Sequence, residues 1–238
     1  MKRKTLKWLG FLAGVGLVLW LWQRDRATGG VGRRLKYATI RLSRSARLVR
    51  GRERATWVHR FYALLAPAYD LLFLKMPGYR QAARDLIERL DVGAHDTVLD
   101  VGCGTGLLTL PLAERAGRVV GLDLSPAMLE KLAAKAARQG LAIELREGSV
   151  LDLPFADGEF TVVTTAFTLL YLTPKEKQRA MAEIHRVLAP GGWYLSYTDR
   201  GCTSAMIHMR HLPQLLRPDG ESGGGDCFEH VHHRREAA

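Results

Sequence analysis

The chain has 238 residues, 47% hydrophobic and 25% charged, which suits one sizeable core with appendages and excludes a disordered or fibrous chain. Its net charge of +11 is unevenly placed: residues 1–54 hold 15 Lys and Arg against Asp25 and Glu53, while the rest hold 20 basic and 22 acidic groups. A nucleic-acid enzyme carries its basic footprint on the domain that does the chemistry, so this split argues against RNA or DNA as the substrate.

The first predicted element is apolar. From Trp8 to Trp22 the sequence WLGFLAGVGLVLWLW has no charge, and extending it back to Leu6 adds only Lys7. As a helix, residues 6–22 would reach roughly 25 Å, a short span or deep anchor in a hydrocarbon core of about 30 Å. Tryptophans at both ends suit the two interfaces. Residues 1–30 are therefore expected to be a membrane anchor helix. A cleaved secretory segment lacks the small-residue cleavage site it needs, and a mitochondrial presequence is the remaining alternative. The larger basic count on the C-terminal side orients the main domain toward the cytoplasm, with the mitochondrial inner membrane or matrix as the alternative location.

Residues 31–58 follow as a basic amphipathic linker. Leu35, Ala38, Leu42, Ala46 and Val49 recur at helical steps, with Arg41, Arg44, Arg47 and Arg50 mostly elsewhere around the helix. Such a basic segment, 33–54, is expected on an anionic membrane surface, against the plainer reading of a solvated linker.

Beyond residue 60, helix and strand alternate. The pattern predicts a helix at 81–90, a strand at 97–101, a helix at 107–116 and a strand at 118–123. Ser125 and Pro126 then open a helix that Gly140 closes. Strands are expected at 143–147 and 160–165. Thr173, Pro174 and Glu176 form a capping box for a helix ending before Pro190-Gly191-Gly192, and 193–198 is the next strand. Repeated β-α-β units with apolar strands predict an α/β fold: a Rossmann-like, doubly wound, mostly parallel sheet with helices on both faces.

In such sheets a ligand sits at the carboxyl ends of the strands. The turn after the first strand, VLDVGCGTGLL at 98–108, reads G-x-G-x-G through Gly102, Gly104 and Gly106. It lacks the third glycine of a dinucleotide fingerprint, and no phosphate loop of the G-x-x-x-x-G-K-[ST] type occurs. Asp100 ends the strand, where a carboxylate facing the ligand mouth would repel a pyrophosphate and attract a cation. Asp123 ends the second strand, the place where a carboxylate accepts from both ribose hydroxyls. The expected ligand is a cationic nucleoside with a free ribose diol, and S-adenosylmethionine meets those demands.

VLDVGCGTG, VVGLDLSPAML, EGSVLDLPFADGEFTVV and RVLAPGGW, in that order, resemble the motif set of the class I S-adenosylmethionine-dependent methyltransferases. They are most similar to the branch holding quinone C-methyltransferases and some phospholipid N-methyltransferases. The resemblance covers roughly residues 60–200 and makes 59–216 the methyltransferase domain. It implies that Asp100 and the backbone at Gly102, Cys103, Gly104 and Gly106 hold the methionine part, that Asp123 takes the ribose and that Leu124 packs on the adenine. Where the family usually reads Gly-Asp-Ala this chain has Gly148-Ser149-Val150, so Ser149 and Val150 are the expected adenine neighbours.

The family also implies a helix and an antiparallel hairpin after the strand at 193–198. No alternating apolar run follows Leu216, so the sheet is expected to be shortened at that edge, leaving an exposed strand. Residues 217–238 are expected to be a polar, disordered tail. Cys227, His230, His232 and His233 there match no usual ligand spacing, and Cys103, Cys202 and Cys227 make no Cys-x-x-Cys pair, so no metal is expected.

Methyl transfer is an in-line displacement that rests largely on positioning, and no residue is singled out as a catalytic base. Tyr62, Tyr69 and Tyr171, with Asp70, are candidates near the acceptor, against ordinary packing. The anchor points to a membrane-borne acceptor such as a quinone precursor or phospholipid head group. The alternative from another class is a membrane-tethered, catalytically inactive methyltransferase fold serving in binding or assembly.

Overall fold

Strand β1 (Thr97–Val101) is the axis of the fold, because the chain runs outward from it in both directions. The computed structural model describes residues 52–70, 83, 84, 87, 88, 90–197 and 205–208. The expected anchor at 1–30, most of the basic segment and the tail at 217–238, with its Cys227, His230, His232 and His233, lie outside the described residues. Among the described residues no helix is long and apolar enough to cross a membrane.

The elements in order are α1 (Arg52–Tyr69), β1, α2 (Thr109–Ala113), β2 (Arg118–Asp123), α3 (Pro126–Gln139), β3 (Glu144–Glu147), β4 (Phe160–Ala166), a 3-10 turn (Thr168–Tyr171), α4 (Pro174–Val187), β5 (Leu188–Tyr197) and β6 (Ala205–His208). The sheet order is β3-β2-β1-β4-β5-β6, with the first five strands parallel and β6 antiparallel to β5. The order reverses between β1 and β4, which opens a crevice beyond their carboxyl ends.

Side-chain alternation along the strands builds a core on each face of the sheet. Leu99, Val101, Val120, Leu122 and Val163 pack with Ala180, Ile184 and Val187 of α4. Val98, Val119 and Val162 pack on the other face with Leu108, Leu112 and the buried Ala83, Ile87 and Leu90. The last three fall in the helix expected at 81–90, whose described residues are helical. β1 is bracketed by partners on both sides and both faces, which is why its sequence reads as a continuous apolar run.

Helix ends follow local chemistry. At α4, the Thr173 hydroxyl accepts from the Glu176 N–H while the Glu176 carboxylate accepts from the Thr173 N–H, a complete capping box. At α3, Gly140 closes the helix at φ +67. Ser125 occupies the N-cap position there, but its buried hydroxyl makes no capping bond and has no partner among the described residues. The Asp123 carboxylate receives the Ser125 N–H instead, at 2.8 Å.

Three expectations need correction. The helix at 107–116 contracts to Thr109–Ala113 because the glycine turn runs on through Leu108. The break expected at Pro190-Gly191-Gly192 is absorbed into β5: Phe160 pairs with Leu188 and Val162 with Trp193, so residues 189–192 bulge opposite one residue of β4. The sheet is also less shortened than expected, since β6 covers β5 from Trp193 to Ser196. Its residues, AMIH, lie ahead of Leu216, whereas the alternating apolar run of an edge strand was expected beyond it.

Candidate functional site

A cavity of about 340 Å³ lies over the carboxyl ends of β1, β2 and β4. Its floor is Val101, Gly102 and Gly104; Asp123, Leu124 and Met128 form one wall, Gly148 to Leu151 another, and Ala166 to Thr168 with Leu172 and Glu176 a third. Val58, Tyr62 and Tyr69 of α1 close over it. Tyr62 and Tyr69 meet edge to face with ring centroids 6.0 Å apart, which fixes both rings at the cavity rim.

Helix α1 is held down by charge. Asp70, just past its end, accepts from the Thr105 hydroxyl at 2.6 Å and pairs with Lys135 of α3 at 2.7 Å; the same ammonium donates to the Thr105 carbonyl at 2.7 Å. Burial alone would push the Asp70 carboxyl up, but Lys135 and the Thr105 hydroxyl outweigh it and hold the group below the ordinary aspartate range. Lys131 adds a bond to the Pro67 carbonyl at 3.3 Å. Asp70 thus serves to fasten α1, and it does not line the cavity.

The glycine turn crosses the mouth of β1. Asp123 organises it: one carboxylate oxygen accepts from Gly104 N–H and the other from Ser125 N–H, both at 2.8 Å. A carboxylate has about four acceptor directions, so capacity remains for hydroxyl groups presented from the cavity. Burial pushes the Asp123 carboxyl up from its ordinary value, partly offset by those N–H donors. Gly104 has nothing within 4 Å of where a Cβ would sit, so its backbone is bare to a ligand.

Gly102 is required by sterics twice over. Its φ is +71, and a Cβ there would run into the Thr168 side chain, whose hydroxyl donates to the Val101 carbonyl at 2.9 Å. We expect Gly102→Ala to lose about 2–4 kcal/mol of stability, from backbone strain plus overpacking. Urea unfolding measures this, and adding Thr168→Ala should recover part of the loss; an unchanged unfolding midpoint in Gly102→Ala would contradict the account.

Of the residues expected at the site, Gly102, Gly104, Asp123, Leu124, Ser149, Val150, Tyr62 and Tyr69 line the cavity. Gly106 does not: a Cβ there would lie 2.5 Å from a Leu132 methyl, so it serves helix packing behind the turn. Asp100 does not face the mouth either. It is 1% exposed, accepts from Thr109 at 2.5 Å and from Thr164 at 2.8 Å, and borders a smaller void of about 30 Å³ that shares Gly102, Gly104 and Phe167 with the cavity walls. Burial pushes its carboxyl up to about 6, the two hydroxyls pulling the other way and the Asp123 charge adding to the rise. Cys103 packs on Leu129 and Leu132, and burial beside two carboxylates pushes its thiol up, so it is an inert core group. The side chain of Tyr171 lies outside the described residues.

The Ser149 hydroxyl accepts from the Leu151 N–H at 3.2 Å, making the local turn that an aspartate would make in its place. The loop beyond it is pinned from α4. Arg186 donates to the carbonyls of Leu153 and Phe155 at 2.9 and 2.8 Å, and Glu183 accepts from Leu153 N–H at 2.8 Å. Sequence reasoning missed Val58, Phe167, Thr168 and Glu176 on the cavity walls. Phe167 carried no sequence flag, yet it sits at φ +61, an outlier for an aromatic residue and a mark of a constrained site wall. No cluster of metal-binding side chains occurs among the described residues.

The cavity suits an adenosine-bearing cation: a carboxylate with spare acceptor capacity for a ribose diol, an apolar slot between Leu122, Leu124, Met128 and Val150 for a base, and bare backbone at Gly104. Residues 98–192 match the methyltransferase domain family. The chain is 42% identical over 139 residues to a demethylmenaquinone methyltransferase of Thermus thermophilus, covering 55% of this chain and about 60% of that protein's length. Its fold matches the [4+2]-cyclase SpnF at TM-score 0.54 and 25% identity, covering 67% and 69% of the two chains. It also matches phosphoethanolamine N-methyltransferase 1 of Haemonchus contortus, solved with phosphoethanolamine and S-adenosylhomocysteine, at TM-score 0.54 and 22% identity over 62% and 33%, a likeness of fold alone. The motif order, the cavity at the point where strand order reverses and the family match agree, and the chain carries a class I S-adenosylmethionine-dependent methyltransferase domain.

Proposed function

We propose that the chain transfers a methyl group to a quinone-class or other lipid-like acceptor at a membrane surface. The observation that carries the methyl-transfer reading is the Asp123 carboxylate, fixed by two N–H groups at the rim of a mainly apolar cavity. When bound, S-adenosylmethionine supplies an electrophilic methyl on a sulfonium. Asp123 would hold its ribose, Leu124 and Val150 its base with Ser149 beside them, and the backbone of Gly102 and Gly104 its methionine part. Tyr62 and Tyr69 exclude water above, which strengthens every electrostatic contact below them.

A quinone-class acceptor is supported by the identity to the Thermus demethylmenaquinone methyltransferase and by the apolar walls. The membrane part rests on sequence: the uncharged run before residue 23 and the excess of 13 positive charges in residues 1–54, with the catalytic domain on the cytoplasmic side. Each Arg near an anionic surface contributes about 1 kcal/mol. Replacing Arg41, Arg44, Arg47 and Arg50 together by Gln is therefore expected to weaken binding to anionic vesicles on the order of 1000-fold, as read by sedimentation, with cofactor affinity unchanged. Equal sedimentation of both proteins would remove the role given to the basic segment.

The activity itself is tested by incubating the full chain with labelled S-adenosylmethionine and separate lipid and RNA extracts. Label is expected in lipid. A fold neighbour described as a cyclase keeps a second reading alive, a tethered domain that binds the cofactor without transferring methyl. Cofactor binding with no label in any fraction would favour it.

A further inference from the structure

The hold on α1 runs through the floor of the cavity as well as across its roof. Helix α1 has no basic residue in its last turn, so the carbonyl end of its dipole has no cation of its own. Cations come from α3 instead: Lys131 donates to the Pro67 carbonyl at 3.3 Å, and Lys135 pairs with Asp70 at 2.7 Å. At positions 128, 132 and 135, one stripe of α3 runs alongside the glycine turn. Met128 lines the cavity, Leu132 fills the space that a Cβ on Gly106 would need, and Lys135 donates to the Thr105 carbonyl at 2.7 Å.

Thr105 is where these bonds meet. It is 2% exposed, stands between Gly104 and Gly106, and borders the smaller void together with Tyr69, Gly102 and Gly104. Its hydroxyl donates to one oxygen of Asp70 and its carbonyl receives Lys135, while the other Asp70 oxygen pairs with the same ammonium. Roof, floor and α3 are thereby closed into one ring of contacts. The Lys135 side chain is 14% exposed and that of Asp70 31%, so the pair is screened less than an ordinary surface bridge. Lys135 itself lines neither void.

We propose that Lys135 is a positioning residue for the cofactor: by binding Asp70 and the Thr105 carbonyl at once, it couples closure of α1 to the shape of the glycine turn. It thereby sets how long the methionine end of the ligand is retained. This rests on the methyl-transfer reading above, which assigns that end of the donor to Gly102 and Gly104, and deepens it. When α1 lifts, Asp70 withdraws from both Lys135 and the Thr105 hydroxyl, and the turn loses its brace on the roof side. A ligand seated on the turn holds Thr105 where Asp70 can meet it. Coupling of this kind is reciprocal, so bound ligand tightens α1 as much as α1 tightens the ligand.

Lys135→Met keeps the stem and removes the charge. By stopped flow, its release of S-adenosylhomocysteine is expected to speed up on the order of tenfold, the loss of one charge-assisted hydrogen bond passed on to the bound state, while association does not slow. Adenosine, which lacks the methionine part, should leave both proteins at rates within about twofold; a Lys135 that served stability alone would loosen both ligands alike or neither. Lys135→Arg keeps the cation and its donors and should restore release to within about threefold of wild type. Asp70→Asn reaches the same contact from α1, and supplies the reading if Lys135→Met folds poorly. Because both substitutions break one ring, the double variant should release ligand no more than about twofold faster than the faster single one. Hydrogen exchange reads the reverse direction: S-adenosylhomocysteine should slow exchange across residues 62–69 about tenfold in wild type and far less in Lys135→Met. Release close to the wild-type rate in both single variants, adenosine release raised as much as that of S-adenosylhomocysteine, or independent effects in the double variant overturns the role of Lys135 and leaves the parent reading standing. Wild-type protein that binds no S-adenosylhomocysteine takes both down together.

Discussion

Asp123→Ala is expected to weaken the affinity for S-adenosylhomocysteine at least about 100-fold while changing stability by less than about 1 kcal/mol. The first number follows from two hydrogen bonds to a charged acceptor, each contributing about 1.5–3 kcal/mol. The second follows from a cancellation. Removing the side chain frees the N–H of Gly104, which opens onto the cavity where water replaces the lost acceptor, and that of the buried Ser125, which is left unsatisfied. It also removes a carboxylate whose ionisation burial disfavours. Calorimetric titration and urea unfolding on the same preparations separate the two effects. Asp123→Asn is the harsher test of the turn, because its amide would present an NH₂ to one of the two N–H groups and leave that pair unsatisfied. Wild-type affinity in Asp123→Ala, or a loss of stability as large as the loss of affinity, would remove Asp123 from the role assigned to it.

Much of this architecture is readable before any coordinates, and the exceptions share a cause. β1, β2 and β4 fall within a residue of the expected segments because buried parallel strands are apolar runs bounded by turns, and the largely exposed edge strand β3 does so as well. Thr173 and Gly140 mark helix ends through local bonds that need no distant partner. β5 misleads at Pro190-Gly191-Gly192 because a bulge and a chain break use the same residues, and only the pairing with β4 distinguishes them. At the site, chain position gave Asp100 the right strand end and the wrong direction. It shares a parity with Val98, so it turns toward Thr109 of α2, while Leu99 and Val101 turn toward α4. Glu176 was visible as a cap, but its place on the cavity wall depends on how α4 and the 3-10 turn pack, which no spacing rule encodes.

Asp100→Asn is expected to make the unliganded protein more stable and the liganded one less so, with a pH dependence that identifies the cause. Asp100 is buried with its carboxyl pushed up to about 6, against 3.8 for an unperturbed aspartate. A raised acid takes up a proton in the folded chain that the unfolded chain does not, so its burden on stability is fully present above about pH 7 and is relieved as pH falls toward 4. At roughly 2 pH units and about 1.4 kcal/mol per unit, Asn should gain about 2–3 kcal/mol over Asp at pH 8 and almost nothing at pH 4. Other titrating groups cancel in that difference, which urea unfolding at the two pH values reads directly. The cost falls on binding: a carboxylate within the field of Asp123, behind the glycine turn, favours a cation at the mouth. Cofactor binding near pH 6 should therefore release protons from wild type, seen as a buffer-dependent heat, and Asn at 100 should lessen both that release and the affinity by about tenfold. If the stability difference between the two proteins is the same at pH 4 and pH 8, the buried charge is not what the site maintains at the expense of the fold.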